Sequence, residues 1–314
     1  MLSSVLSRRT TLLAALALGL ARRAAAVLAA VPRYAHSRDW GGTGSANGRF
    51  DGPRGVAVFQ DRVYVADSFN DRIQMFTRAG NFSRKWGTSG RGSGQFNRPR
   101  GVAVDSKGQV FVADTLNHRI QVFTATGEFV RRFGSRGSAR GRFAEPWGVA
   151  IGRGNRVYVA DSANNRVQVF SRRGRFIRSW DGRGAGNGRF SDPRGIATDP
   201  QGRVYVVDGR NNRIQVFNAR GQFLRQWGRE GSANGSFRDP SDVAIDAEGR
   251  VLVTDSGNAR VQVFTRSGTY LTKWSAATIA PAGFDPMGLA VDTANRVYVA
   301  DTENDGVAVF STTG

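Results

Sequence analysis

Short apolar runs recur along this chain, each four to six residues long and bounded by Gly, Asp, Asn or Ser. Between residues 98 and 133 they are Val102-Ala103-Val104-Asp105, Val110-Phe111-Val112-Ala113-Asp114, Ile120-Gln121-Val122-Phe123 and Glu128-Phe129-Val130-Arg131-Arg132-Phe133. Runs of this length, rich in Val, Ile, Phe and Tyr, predict β-strands. The links Ser106-Lys107-Gly108 and Thr124 to Gly127 are short enough for hairpins, because Gly supplies positive φ at little cost. These runs and their counterparts further along show no 3.6-residue period of an amphipathic helix.

The pattern is periodic on a larger scale. The Asp that closes the second run falls at Asp67, Asp114, Asp161, Asp208, Asp255 and Asp301, in steps of 47, 47, 47, 47 and 46 residues. Four antiparallel strands every ~45 residues describe a propeller blade. The expected fold is therefore an all-β, six-bladed β-propeller of four-stranded antiparallel blades over residues 34–314. Gly-rich links join the blades. Each opens on a large aromatic (Trp40, Trp86, Phe133, Trp180, Trp227, Trp274) and carries a second one before the next strand (Phe50, Phe96, Phe143, Phe190, Phe237, Phe284). Both series are expected to wedge between neighbouring blades. The last copy stops short of a fourth strand, whereas Tyr34 to Asp39 precede Trp40 with no blade of their own. This N-terminal strand is expected to close the last blade.

The turn after each Asp carries a further signature. Asn117-His118-Arg119-Ile120-Gln121-Val122-Phe123 has kin in Asn70-Asp71-Arg72-Ile73-Gln74, Asn164-Asn165-Arg166-Val167-Gln168, Asn211-Asn212-Arg213-Ile214-Gln215 and Asn258-Ala259-Arg260-Val261-Gln262. The sixth copy departs, with Asn304-Asp305-Gly306-Val307 lacking the Arg. These repeats resemble the NHL family, named for an Asn-His-Leu stretch. The resemblance covers residues 34–314 and implies a six-bladed propeller, but it does not fix an activity. The repeated Asp, Asn and Arg are read as scaffold: the carboxylate and amide bond nearby backbone N–H groups, and the Arg pairs or packs within its blade.

The first 33 residues differ in kind. Ser7-Arg8-Arg9-Thr10-Thr11-Leu12-Leu13 leads into an apolar stretch that Arg22-Arg23 interrupts. A basic start before about eleven apolar residues suits an export signal, and the Arg pair resembles a twin-arginine signal. Such a stretch reaches only ~16 Å as a helix against a bilayer core of about 30 Å, so no transmembrane span is expected. Ala24-Ala25-Ala26 offers a cleavage site, and the expected location is periplasmic or otherwise outside the cytoplasm. The alternative is a basic leader on a cytoplasmic protein.

Composition narrows the chemistry. The chain has no Cys and two His, with a formal net charge of +20. This excludes disulfides, thiolate metal sites and a Cys nucleophile. His36 and His118 stand in different parts of the ring, so no metal or other cofactor is expected; the amidating-lyase relatives in the resembled family use a cluster of histidines round zinc that this chain cannot supply. A Ser-His-Asp triad through His118 is disfavoured, because other copies put Asp71, Asn165, Asn212, Ala259 and Asp305 there. Asp105, Asp199, Asp246 and Asp292 are expected to serve turns between the first two strands of their blades rather than a calcium ring. Without Arg8, Arg9, Arg22 and Arg23 the remainder still carries 41 basic against 25 acidic residues, almost all of the bases being Arg. Such an excess favours polyanions and anionic surfaces.

Topology places part of that charge. The residue before the Gly of each first strand should sit at the mouth of the central channel: Arg54, Arg100, Trp147, Arg194, Ser241 and Met287, with Asp242 replacing the Gly in blade five. Arg98, Arg142 and Arg189 stand near it in the links. Blades one to four thus offer a basic arc with one Trp, and blades five and six are neutral or acidic. Guanidinium groups suit carboxylate or phosphate in forked geometry. The expected function is a non-enzymatic binding propeller that recognises an anionic polymer, an acidic protein or an acidic metabolite on this link face. Two alternatives stand beside it. One is RNA binding, as on the electropositive face of NHL propellers of animal tripartite-motif-like proteins, although few stacking aromatics are present. The other is a propeller lyase or hydrolase of unknown substrate.

Overall fold

A computed structural model describes residues 31–275, 278 and 282–313 of the chain. The expected leader and its cleavage site fall in residues 1–30, outside the described residues. Among the described residues no helix is long and apolar enough to cross a membrane.

The propeller occupies Tyr34–Thr313. Strand β1 (Arg33–Gly41) comes first. Blade one is β2 (Pro53–Phe59), β3 (Arg62–Asp67), β4 (Arg72–Thr77) and β5 (Phe82–Trp86). Blade two repeats it as β6 (Pro99–Val104), β7 (Val110–Asp114), β8 (Arg119–Phe123) and β9 (Phe129–Phe133). Blade three is β10 (Pro146–Gly152), β11 (Arg156–Asp161), β12 (Arg166–Phe170) and β13 (Phe176–Asp181). Blade four is β14 (Pro193–Thr198), β15 (Val204–Asp208), β16 (Arg213–Phe217) and β17 (Phe223–Trp227). Blade five is β18 (Pro240–Ile245), β19 (Val251–Asp255), β20 (Arg260–Phe264) and β21 (Tyr270–Ser275). Blade six holds β22 (Pro286–Val291), β23 (Val297–Asp301) and β24 (Gly306–Thr313), and β1 completes it in the order β1-β24-β23-β22. The expected closure by the N-terminal strand is therefore present.

Apolar burial runs between blades rather than within one. Tyr64 and Ile73 of blade one share a cluster with Phe96, Val112 and Phe123 of blade two. At the closing seam Val63 and Phe76 of blade one meet Tyr298, Val307 and Val309 of blade six. The second aromatic of each link is the wedge the sequence predicts: Phe50, Phe96, Phe143, Phe190 and Phe237 are wholly buried. The first aromatic seals the outer part of the seam. Trp86 lies 5.9 Å from the Phe123 ring, and a Cβ on Gly127, in the outer hairpin turn of blade two, would stand 2.5 Å from its indole. Truncating a core aromatic of this kind costs roughly 3–5 kcal/mol.

In blades one to five the repeated Asp, Asn, Arg and Gln form one buried clasp per blade. In blade two Asp114 Oδ2 accepts from Arg119 Nε at 2.7 Å and from Gln121 Nε2 at 3.0 Å, and Asn117 Nδ2 donates to the same carboxylate. The Asp does bond backbone N–H, but of the link: Asn97 N–H donates to Oδ1 at 2.8 Å. The guanidinium then grips the link carbonyls of Arg91, Gly92 and Gln95. Blades one to five all carry the Asp–Arg pair, at 2.6–2.7 Å.

Candidate functional site at the channel mouth

The innermost strands converge tightly. A Cβ on Gly101 would lie 2.4 Å from the Trp147 carbonyl oxygen, which is why a glycine stands there. Only a cavity of about 80 Å³ remains on the axis, lined in part by Arg54, Arg100, Trp147, Asp242 and Met287.

At its mouth, cations and aromatic rings alternate. The Arg100 guanidinium lies 3.9 Å from the Trp147 ring centroid, with those of Arg194 at 5.0 Å and Arg54 at 5.9 Å. Phe69 extends the row, 5.6 Å from Arg54 and 4.3 Å from Arg98. A guanidinium over an indole face is attracted by the ring quadrupole. These cations differ in how they are neutralised. Arg194 is buried and paired, to Asp192 at 3.0 Å and Asp239 at 2.8 Å. Among the described residues no carboxylate lies within ion-pair distance of Arg54 or Arg100, and Arg100 Nε is buried without a hydrogen-bond partner. Burial first, and then the neighbouring Arg54, pulls the Arg100 guanidinium down to about 10. Burial also lowers Arg54, with Asp285 opposing and Arg98 adding to the effect.

The structure brings Arg54, Arg100, Trp147 and Arg194 together, and Arg98 beside them. It does not bring Arg142 or Arg189. Both are exposed at their link tips, their stems lying over Gly137 and Gly184 of the same links. Two features of the charge distribution depart from the sequence reading. Acids interleave with the arc, because Glu145, Asp192 and Asp239 occupy the position that Arg98 holds in blade two, just before the proline of the first strand. Arginine is also not confined to the link face. Arg172 pairs with Asp105, Arg203 with Asp199, Arg250 with Asp246 and Arg296 with Asp292 across the turns of the other face. Those four Asp residues serve the turns as expected: Asp105 Oδ1, for one, accepts from Lys107 and Gln109 N–H at 2.9 Å.

His118 has a structural duty. It sits in the left-handed region at φ 53°, and its Nδ1 accepts the Glu145 N–H at 3.0 Å. Asp71 does the same for Arg98, Asn165 for Asp192 and Asn212 for Asp239. The position needs a short acceptor that tolerates αL, which explains its Asp/Asn/His variety. His36 bonds Asp39 on β1. Among the described residues no group of three or more His, Asp or Glu side chains is placed to hold a metal ion.

Asp242 is the functional candidate that sequence reasoning passed over. It lines the axial cavity where blades one to four and blade six keep a glycine. Its Oδ1 accepts from Val243 N–H at 2.9 Å, its Oδ2 from Leu289 N–H of blade six at 3.0 Å. Burial pushes its carboxyl up to about 7. The signal was the broken glycine series, visible in the sequence without a role attached.

With the blades and clasps in place, the NHL repeat model matches residues 96–123, 143–170, 190–217 and 237–264. This chain is an NHL-repeat β-propeller. The matched segments run from link Phe to third-strand Phe in blades two to five. Blade one is one residue shorter between its first two strands, and blade six lacks both the clasp Arg and one link residue. No curated protein matches the NHL-repeat chain significantly. Among solved structures it is similar to a streptogramin B lyase (12% identity, covering 90% of this chain and 98% of that one, TM-score 0.63). It is also similar to a virginiamycin B lyase from Staphylococcus aureus (14%, 89% and 98%, 0.61) and to a gluconolactonase from Xanthomonas campestris (15%, 90% and 97%, 0.63). At these identities the likeness concerns the fold alone.

Proposed function

We propose that this NHL propeller is a non-enzymatic binding protein whose channel mouth recognises a single anionic group, a carboxylate or phosphate, on a small acidic ligand or an acidic protein surface. One observation carries the reading: Arg54 and Arg100 flank Trp147 without a carboxylate of their own among the described residues, whereas the clasp arginines of blades one to five and Arg194 are paired. Two partly buried cations that repel one another gain from an anion placed between them. The indole offers a flat apolar wall for the rest of the ligand. The interleaved Glu145, Asp192 and Asp239 favour a compact anion over a long polyanion such as RNA, which would meet them on the same rim. An exported location accompanies this proposal; fractionation that finds the protein only in the cytosol would remove that part.

The test is calorimetric titration with inorganic phosphate and with citrate. Arg54→Gln and Arg100→Gln should each weaken binding at least tenfold, and Arg142→Gln and Arg189→Gln should leave it unchanged. Equal affinity in all four variants would sink the proposal.

A further inference from the structure

Blade six breaks the clasp. Asp301 occupies the place of Asp114, and Asn304 donates to its Oδ2 at 2.7 Å while Asp285 N–H donates to its Oδ1 at 3.0 Å. The two other partners are gone, because Gly306 stands for the Arg and Ala308 for the Gln. Asp301 is nonetheless only 2% exposed. Among the described residues no cation pairs with it, and the sequence from 275 to 284 contains no basic residue. Beside the carboxylate opens a cavity of about 370 Å³, lined by Asp301, Asn304, Gly306, Ala308, Asp39 and Trp40. It lies where the missing side chains would project, since Asp301 pairs with Gly306 across the strands as Asp114 pairs with Arg119.

A carboxylate withdrawn from water needs a compensating partner. In the five other blades that partner is a guanidinium whose Nε donates to the Asp, a charge-assisted hydrogen bond. Asp39 on β1 adds a second acid at the rim of the cavity. Burial, with Asp39 contributing, pushes the Asp301 carboxyl up, a shift that a cation bound beside it would oppose.

We propose that this cavity is a binding site for a guanidinium group supplied from outside the ring, which takes the place of the sixth clasp arginine against Asp301. The site is separate from the channel mouth, and the two proposals fail independently.

Agmatine and a capped Gly-Arg-Gly peptide serve as probes, with n-butanol and matched NaCl as controls. By calorimetry the wild type binds at least one guanidinium probe, and thermal unfolding shifts upward with it. Tighter binding of agmatine assigns a free guanidino compound; tighter binding of the peptide assigns an arginine presented by a partner. Gly306→Arg rebuilds the clasp from within, so it should melt higher than wild type and lose at least tenfold in affinity for either probe. Asp301→Asn keeps the shape and should lose the same affinity. Arg100→Gln should bind agmatine as the wild type does. Failure of both probes to bind the wild type, or undiminished binding in Gly306→Arg and Asp301→Asn, overturns the proposal.

Discussion

Asp242 shows how one residue changes an axis that symmetry would otherwise close with glycine. Its carboxyl titrates at about 7 in the folded chain and near 3.9 when unfolded. Between those values the folded chain holds a proton that the unfolded chain has released. Stability therefore falls as pH rises through that window, and the loss is complete above about 7. Asp242→Asn removes the titration while keeping an oxygen acceptor for Leu289 N–H. Thermal melts should show the variant above wild type at pH 8, with the gap closing by pH 5; a wild type more stable at pH 8 would mean the ionised carboxylate is held by the mouth arginines. The Gly-to-Asp change was legible in the sequence. Its partner in the neighbouring blade was not, because hydrogen bonds between elements 47 residues apart leave no local pattern.

At the scale of the element, the clasp fastens each link to the blade that follows it. The sequence showed the Asp, Asn, Arg and Gln as series and so marked them as scaffold. It did not show that Arg119 reaches carbonyls 24 to 28 residues earlier, because the Gly-rich link has no periodicity of its own to predict its path. Arg119→Met leaves Asp114 buried and unpaired, and should cost about 3–5 kcal/mol in urea unfolding. Lys107→Ala, on an exposed turn, should stay within about 0.5 kcal/mol of wild type. The same logic accounts for Ala259. It lacks the acceptor that Asn212 offers, and the residue whose N–H would need one is the residue missing from the blade-six link.

For the whole molecule, period and composition gave the ring, the number of blades and the closing strand, because each follows from alternating patterns and their count. Charge was less legible. A tally of arginines cannot tell which of them meet an Asp in space, and among the described residues only a minority do. Among those residues the mouth stands out by two half-buried guanidiniums set against one indole without an acid, rather than by their number. Closure itself is testable: a chain beginning at Gly42 lacks β1 and exposes the outer edge of β24. Exposed edges invite pairing with another chain, so size-exclusion chromatography should show this variant associating where the full ring elutes as a discrete species.

Joining the first strand to the last also has a consequence in time. The seam ties residues as far apart as Gly52 and Asp305, 253 positions along the chain. At ~5–20 residues per second of synthesis, β1 leaves the ribosome roughly 15–50 s before its neighbour exists. Five blades can assemble during translation while that strand waits unpaired, and the ring locks only once β24 has been made.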